Sequence, residues 1–252
     1  MENTKRTFIE KMNPLFKILV LVAVAILTTI DFKPYLAILL VLTVLGIAQC
    51  YSQVSAKEIL FAIKGFFAVV IGFIAVITGT RFLSGQPLQM IYVIGLSLRI
   101  IVISSYSALF VKTTDPTAFV LVLIQYFHMP VRMGYAFLVA YRFLPTFKEE
   151  MELIRFAHQV RGVEESKNPI VKVWQSQRYI LPMMTNAIRR SIRISMAMET
   201  RAFGKYEDRT YYKQICIEKR EIFVTIAYVI YMLVLLTVLY KYDLASIGLK
   251  FR

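Results

Sequence analysis

The sequence predicts an all-α polytopic membrane protein, with about five transmembrane helices and long cytoplasmic amphipathic helices between the fourth and the fifth. Three observations carry this. The 252 residues are 58% hydrophobic and include 18 Phe and 15 Tyr, more apolar material than a soluble core of that length conceals. Charge-free runs recur at nearly the length of about 20 residues that a helix needs to cross the hydrocarbon. The formal charge of +14 is uneven: residues 112–221 hold 18 of the 30 Lys and Arg and 11 of the 16 Asp and Glu.

The first span, Ile18–Ile30, is short and extends through Leu15 if Lys17 snorkels. It runs directly into Asp31-Phe32-Lys33-Pro34 with no small-residue cleavage site, so a hairpin into the next span is expected rather than a signal peptide. No charge occurs between Lys33 and Lys57, which gives the second span. The third, Ile59–Thr80, contains Lys64 near one end, and the fourth, Leu88–Val111, contains Arg99 near its middle. Nineteen uncharged residues between Glu221 and Lys241 form the fifth. Cys50 falls on a predicted membrane helix and Cys216 in a basic segment, which suggests neither a disulfide nor a metal cluster.

Topology follows from the positive-inside bias. Lys5, Arg6, Lys11 and Lys17, together with the basic central region, are expected in the cytoplasm, N-terminus included. An odd number of spans then leaves Lys241–Arg252 outside, with Asp31–Pro34 and Gly79–Pro87 as short external loops. The domains expected are a four-span region 1–111, a cytoplasmic helical region 112–220, and a last span with its external tail, 221–252. A pI near 9.8 invites nucleic-acid binding, but positive-inside bias and anionic headgroups of the bilayer account for it more simply, so no nucleic acid is expected.

Within the central region two helices share a plan. From Phe147, apolar Met151 and Ile154 recur at steps of four and three, His158 and Arg161 continue that face, and the helix ends at Arg161-Gly162. A second helix is announced by Pro182, a residue favoured in a first turn; Ile188, Ile192, Ser195 and Glu199 line one face and Arg189, Arg190 and Arg193 another. It ends near Arg201-Ala202 and Gly204. Gly162 and Gly204 suit left-handed C-caps, and an arginine in each last turn complements the helix dipole by about 0.3–1 kcal/mol. "RFLP" at 142–145 opens the first plan with Arg142 and Pro145, and "RYILP" opens the second.

Two basic helix tips facing the cytoplasm look like plugs for an acidic socket in another chain. A guanidinium presents a planar fork to a carboxylate and stays charged when partly desolvated. Small Gly162 and Ala202 leave room for a partner's backbone, and Glu199, one turn before, is placed to orient Arg201 or its partner or to stand as a simple exposed charge.

These residues carry a resemblance. "NPLFK" before the first span, "TTDP" at 113–116, "RFLP" at 142–145, and "AMETRAFG" followed by "DRT" at 208–210 resemble the transmembrane T component of energy-coupling factor (ECF) transporters, a type of ABC importer for vitamins and metal ions in prokaryotes. In that family two cytoplasmic helices end in Ala-Arg-Gly. Here the motifs read Val160-Arg161-Gly162 and Thr200-Arg201-Ala202, so both arginines are kept and the second glycine is displaced to 204. The resemblance implies five membrane helices in the cell membrane, with coupling helices whose tips, at Arg161, Gly162, Arg201, Ala202, Glu199 and Gly204, bind two ABC-type ATPase subunits, supported by Arg142, Pro145, Pro182 and Arg193. It also implies a substrate-binding membrane S component on the other face, with ATP and magnesium in the ATPases and no cofactor in this chain. Modules dedicated to cobalt, nickel or biotin belong to the same type.

An energy source elsewhere agrees with the absence of a GxxxxGK[ST] loop. No catalytic constellation is found: His128 and His158 have no HExxH or Cys partner, no serine has a GxSxG context, and no Asp or Glu lies within the confident spans, so neither an intramembrane enzyme nor a metal site is expected. A carrier with its own substrate site would show repeats and broken helices, and no inverted repeat is visible. Gly65, Gly72 and Gly79, at steps of seven, give one helix a smooth face for another. Met129, Met133, Met183, Met184, Met196 and Met198 are adaptable side chains that suit a surface for one or several S components, or core filling.

Overall fold

The computed structural model describes residues 8–31, 33–51, 56–84, 90–163, 171, 175, 177–205, 211 and 214–242. Among them are nine α-helices and no β-strand: α1 (Phe8–Lys11), α2 (Pro14–Ile30), α3 (Pro34–Tyr51), α4 (Ala56–Leu83), α5 (Met90–Thr113), α6 (Pro116–Tyr126), α7 (Val131–Val160), α8 (Gln177–Thr200) and α9 (Lys219–Lys241). The expectations for Lys5, Arg6, "DRT" at 208–210 and the tail beyond Tyr242 lie outside the described residues. The chain divides into two compact units, residues 1–119 with 215–252, and residues 120–214.

Two of the quoted motifs are helix starts of one chemical type. Asn13 Oδ1 accepts the amide of Leu15 at 3.0 Å, and Pro14 follows where an amide would have no helical partner. Asp115 Oδ1 accepts the amide of Thr117 at 3.0 Å, and Pro116 follows in the same way to open α6.

In the first unit α5 lies against α2, α3 and α4, and α9 packs on α2 and α3. Their shared core includes Val24 and Leu27 of α2, Leu40 and Val44 of α3, Val102 of α5 and Met232 of α9. Buried hydroxyls are satisfied locally: Thr28, Ser97, Ser104, Ser105 and Thr225 each donate to the carbonyl four residues back, at 2.6–2.9 Å. Such back-bonding is needed where no water is at hand.

Three helices are long and apolar enough to cross a membrane by length and composition: Lys57–Leu83, Val93–Thr113 and Lys219–Lys241, with mean hydropathies of 2.6, 1.8 and 2.7. The apolar α2 and α3 are shorter, and α2, with 17 residues, rises about 26 Å at 1.5 Å per residue against a hydrocarbon core of about 30 Å. Phe61 and Phe82 on α4 and Phe223 on α9 are 74–80% exposed, which in a polytopic membrane protein is a lipid-facing surface. The expected loop from Gly79 starts later, because α4 continues to Leu83; Gly79, Thr80 and Arg81 are helical. Gly65, Gly72 and Gly79 are exposed, and among the described residues nothing lies within 4 Å of where a Cβ would stand.

Polar ties fix the ends of this unit. Lys17 Nζ donates to the Thr113 carbonyl at 2.7 Å, the Asn13 amide donates to Glu221 Oε1 at 2.9 Å, and Lys112 pairs with Glu58 at 2.9 Å. The starts of α2, α4 and α9 and the end of α5 therefore share one end, rich in Lys11, Lys17, Lys57, Lys112, Lys219 and Arg220. At the other end Arg99 Nη2 donates to the carbonyls of Thr29 and Asp31, at 3.2 and 3.1 Å. Arg99 is thus a contact within the bundle, closing carbonyls at the C-terminus of α2 that no helical amide reaches.

Candidate functional site: two arginine-ended helices

In the second unit α7 and α8 run antiparallel, and four sets of contacts establish it. The Tyr135 and Phe203 rings meet edge to face at 5.3 Å. The Arg190 guanidinium pairs with Glu150 and lies over Phe143 at 5.0 Å. Arg155 lies 5.8 Å over the ring of Tyr179, and His158 meets the same ring edge to face at 5.4 Å. The residue numbers fall on α8 as they rise on α7. Near its start α7 is also held close to α6, because Gly134 has no side chain where Ile124 and Val120 pack.

Of the face expected from Phe147, Met151, Ile154, His158 and Arg161, the first four form the half-buried face of α7, whereas Arg161, just past its last residue Val160, is exposed. On α8 the less exposed positions are Tyr179, Pro182, Met183, Ala187, Arg190, Ile194 and Met198, and of these Tyr179 and Arg190 touch α7. This corrects the grouping of Arg190 with Arg189 and Arg193. Those two are exposed, whereas Arg190 turns inward because Glu150, forty residues away, stands opposite and two phenylalanine faces accept its cation. Ile188 and Ile192 are exposed.

The helix starts also differ from the expectation. Pro182 is the sixth residue of α8, not in its first turn, and Pro145 lies in the middle of α7, which begins at Val131. A proline inside a helix leaves the carbonyl four residues back, here Tyr141 or Arg178, without its helical amide. Packing on both sides of Pro145, through Gly134 before it and Phe147 after it, outweighs that local preference.

Both helices end in the same backbone motif. At the first, Gly162 N–H donates to the Gln159 carbonyl at 2.9 Å and Val163 N–H to the His158 carbonyl at 3.0 Å. At the second, Ala202 N–H donates to the Glu199 carbonyl at 2.9 Å and Phe203 N–H to the Met198 carbonyl at 3.0 Å. These paired bonds are a Schellman cap, with one left-handed residue just past the arginine. Gly162 has φ +77° and Ala202 φ +55°. Arg161 and Arg201 therefore hold equivalent places and both are exposed. Gly204, expected as the second cap, has φ +78° but lies two residues further on, under Arg132, whose Nη2 donates to its carbonyl at 3.3 Å. Glu199 contributes its backbone carbonyl to the cap and leaves its side chain exposed; Arg142, Pro145 and Arg193 are also exposed. Among the described residues no group of three His, Cys, Asp or Glu side chains converges.

The sequence profile of the CbiQ family, described as "Cobalt transport protein", matches residues 5–212. The chain belongs to the CbiQ/EcfT family. It is 23% identical to the energy-coupling factor transporter transmembrane protein EcfT of Lactococcus lactis, over 91% of this chain and 93% of that one. To the EcfT of Ruminiclostridium cellulolyticum it is 26% identical, over 90% and 91%. A shorter stretch is 37% identical to the EcfT of Thermosediminibacter oceani, over 31% and 29%. The resemblance read from the motifs is thereby shown. The CbiQ/EcfT family is one of non-catalytic membrane components of transporters. Against the Ala-Arg-Gly pattern, this member places Ala202 in the left-handed position that Gly162 takes at the other tip.

Of the residues that tie the pair together, Arg190 is grouped in the sequence with two exposed arginines, and Glu150, Tyr179, Tyr135, Phe203 and Arg132 carry no signal of their role when each helix is taken alone. An antiparallel pairing of the two arginine-ended helices in the sequence would have aligned Glu150 with Arg190 and Tyr135 with Phe203.

Proposed function

We propose that this chain is the energy-coupling subunit of an ECF-type ABC importer in a prokaryotic cell membrane. Its two arginine tips dock into two ABC-type ATPase subunits and carry their ATP-driven motion to a substrate-binding S component, for uptake of vitamins or other micronutrients. The observation that carries this reading is the placement of the tips. Arg161 and Arg201 sit on identical caps at opposite ends of an antiparallel pair, about 36 Å apart along the axis at 1.5 Å per residue. Two equivalent plugs at that separation fit two equivalent sockets, one on each of two ATPases, rather than one.

The chemistry of each contact rests on the guanidinium, which meets an acidic groove with paired hydrogen bonds that an ammonium cannot reproduce. ATP and magnesium belong to the ATPases. The exposed stripe Leu181, Met184, Ile188, Ile192 and Met196 along α8 is an apolar surface that suits the S component, with its methionines adapting to the partner's shape. The basic end of the first unit is assigned to the cytoplasm by the positive-inside bias, with the N-terminus on that side. Residues 1–111 then serve as the membrane scaffold, 112–220 as the coupling region and 221–252 as the last span and external tail.

A second reading, a module dedicated to one substrate such as cobalt, nickel or biotin, is favoured by the family description "Cobalt transport protein". Both place substrate selection in the S component, so the S component that copurifies distinguishes them.

The test is Arg161→Glu with Arg201→Glu in the intact complex. Losing a charge-assisted contact in a desolvated interface costs roughly 2–5 kcal/mol, so the double variant inserts in the membrane but no longer copurifies with the ATPase subunits. Each single variant retains the partner at the other tip. Copurification of the double variant at the wild-type level would sink the reading.

A further inference from the structure

Glu150 and Arg190 occupy equivalent places on their helices. Glu150 lies eleven residues before Arg161 at the end of α7, and Arg190 lies eleven before Arg201 at the end of α8. Because the helices run antiparallel, the ion pair between them stands midway between the two tips, about three helical turns from each. The ties on either side of it run through rings: Tyr135 with Phe203 towards the second tip, and Tyr179 with Arg155 and His158 towards the first.

Rings and ion pair differ in what they specify. Dispersion between packed rings is weakly directional, whereas a guanidinium and a carboxylate must meet face to face. One turn along α7 from Glu150 the half-buried positions are Thr146 and Ile154, and one turn along α8 from Arg190 they are Ala187 and Ile194. A slip of one turn in either direction would set each mostly buried charge against uncharged side chains. The other carboxylates close by on α7, Glu149 and Glu152, are exposed and lie off this face. Phe143 and Phe147, with ring centres 5.0 and 6.0 Å from the guanidinium, hold it at that level of α7. Each turn of slip would change the separation of the tips by about 5.4 Å.

We propose that Glu150 and Arg190 are positioning residues for energy coupling: their ion pair selects one register of α7 against α8 and thereby sets the separation of Arg161 from Arg201. The consequence for coupling rests on the docking reading above, in which two sockets must be met at once. With the register fixed, motion of the ATPases at the tips displaces both helices together. With it free, one helix slides past the other and part of the stroke is lost.

The test uses the full chain in vesicles, with and without its copurified ATPases, spin-labelled at Val160→Cys and Thr200→Cys after Cys50→Ser and Cys216→Ser; both label sites are exposed. Pulsed dipolar spectroscopy of the chain with its native ion pair should give one narrow tip-to-tip distance. Glu150→Met with Arg190→Met removes both charges at similar volume, a replacement that usually leaves stability unchanged or raised, so helical content should hold. Its distances should instead spread into populations about 5 Å apart, one helical turn each. Glu150→Arg with Arg190→Glu, which puts the cation on the helix that carries the two rings, should restore the single native distance. A single native distance in the double methionine variant would overturn the proposal, leaving the ring contacts to set the register. So would a distribution that stays broad in the swapped pair. Binding of the ATPases should narrow the methionine variant's distances to the native value, because two sockets admit one separation. Distances still broad with both ATPases bound would refute the docking reading, while the register stands decided by the free chain.

Discussion

At the end of α7 the left-handed residue is Gly162, with no described residue within 4 Å of the place a Cβ would occupy; at the end of α8 it is Ala202, and the residues just beyond it are held by α7. The hydrogen bonds of the two caps agree in pattern and nearly in length. A left-handed conformation costs a non-glycine residue about 1–2 kcal/mol, so the first tip adopts its shape by residue choice and the second against it. What sustains the second is tertiary: the Tyr135 ring on Phe203 and the Arg132 guanidinium on the Gly204 carbonyl. One functional shape is thus reached by two routes, and only the second depends on the partner helix.

The largest expected effect comes from what both tips share. Glu150 and Arg190 join the helices near their middle, with side chains only 17% and 23% exposed. Glu150→Ala would leave a largely buried guanidinium without its carboxylate, with an expected cost of about 2 kcal/mol, between the exposed and the fully buried cases. Hydrogen exchange should quicken about thirtyfold across both helices. Faster exchange at one tip alone would show that the pair is not a common spine.

How much of this could be read from the sequence depends on how local each cause is. The starts of α2 and α6 are written in Asn13-Pro14 and Asp115-Pro116, where cap and proline act within three residues. The face of α7 from Phe147 to His158 is periodic and therefore legible, as is the arginine next to a small residue at each tip. Pro145 and Pro182 misled because their local rule, to start a helix, lost to packing on either side. Arg190 looked like one of three surface arginines because its reason for turning inward lies on another helix. For Arg99 a contact within the bundle is one of the readings the sequence supports, beside snorkelling, but its partners, the carbonyls of Thr29 and Asp31, are some seventy residues away and are not legible there. The smooth face of Gly65, Gly72 and Gly79 was read as a packing surface, and it stands open within the described residues.

A smaller effect separates the tips. Tyr135→Ala removes one ring of an edge-to-face pair, worth about 0.5–1.5 kcal/mol beyond the area it buries. The Phe203 amide, whose bond closes the second cap, should exchange several-fold faster, while the Val163 amide of the first cap keeps its rate. Equal acceleration at both would mean that the second tip has no brace of its own.

The smallest effect tests the strain directly. Ala202→Gly restores the residue that the left-handed position favours and removes roughly 1 kcal/mol of conformational cost, part of which returns as the greater freedom of glycine in the open chain. The Phe203 amide should therefore exchange about two- to fivefold more slowly, since a gain of 0.4–1 kcal/mol corresponds to that factor. The mirror change, Gly162→Ala, should accelerate the Val163 amide by a similar factor, because no described neighbour stands ready to hold an alanine there. If Ala202→Gly leaves the Phe203 amide unchanged while Gly162→Ala opens the first cap, then the contacts with Tyr135 and Arg132 alone set the second tip's shape. The alanine would then matter for how closely a docking partner's backbone approaches Arg201, and not for the stability of the cap.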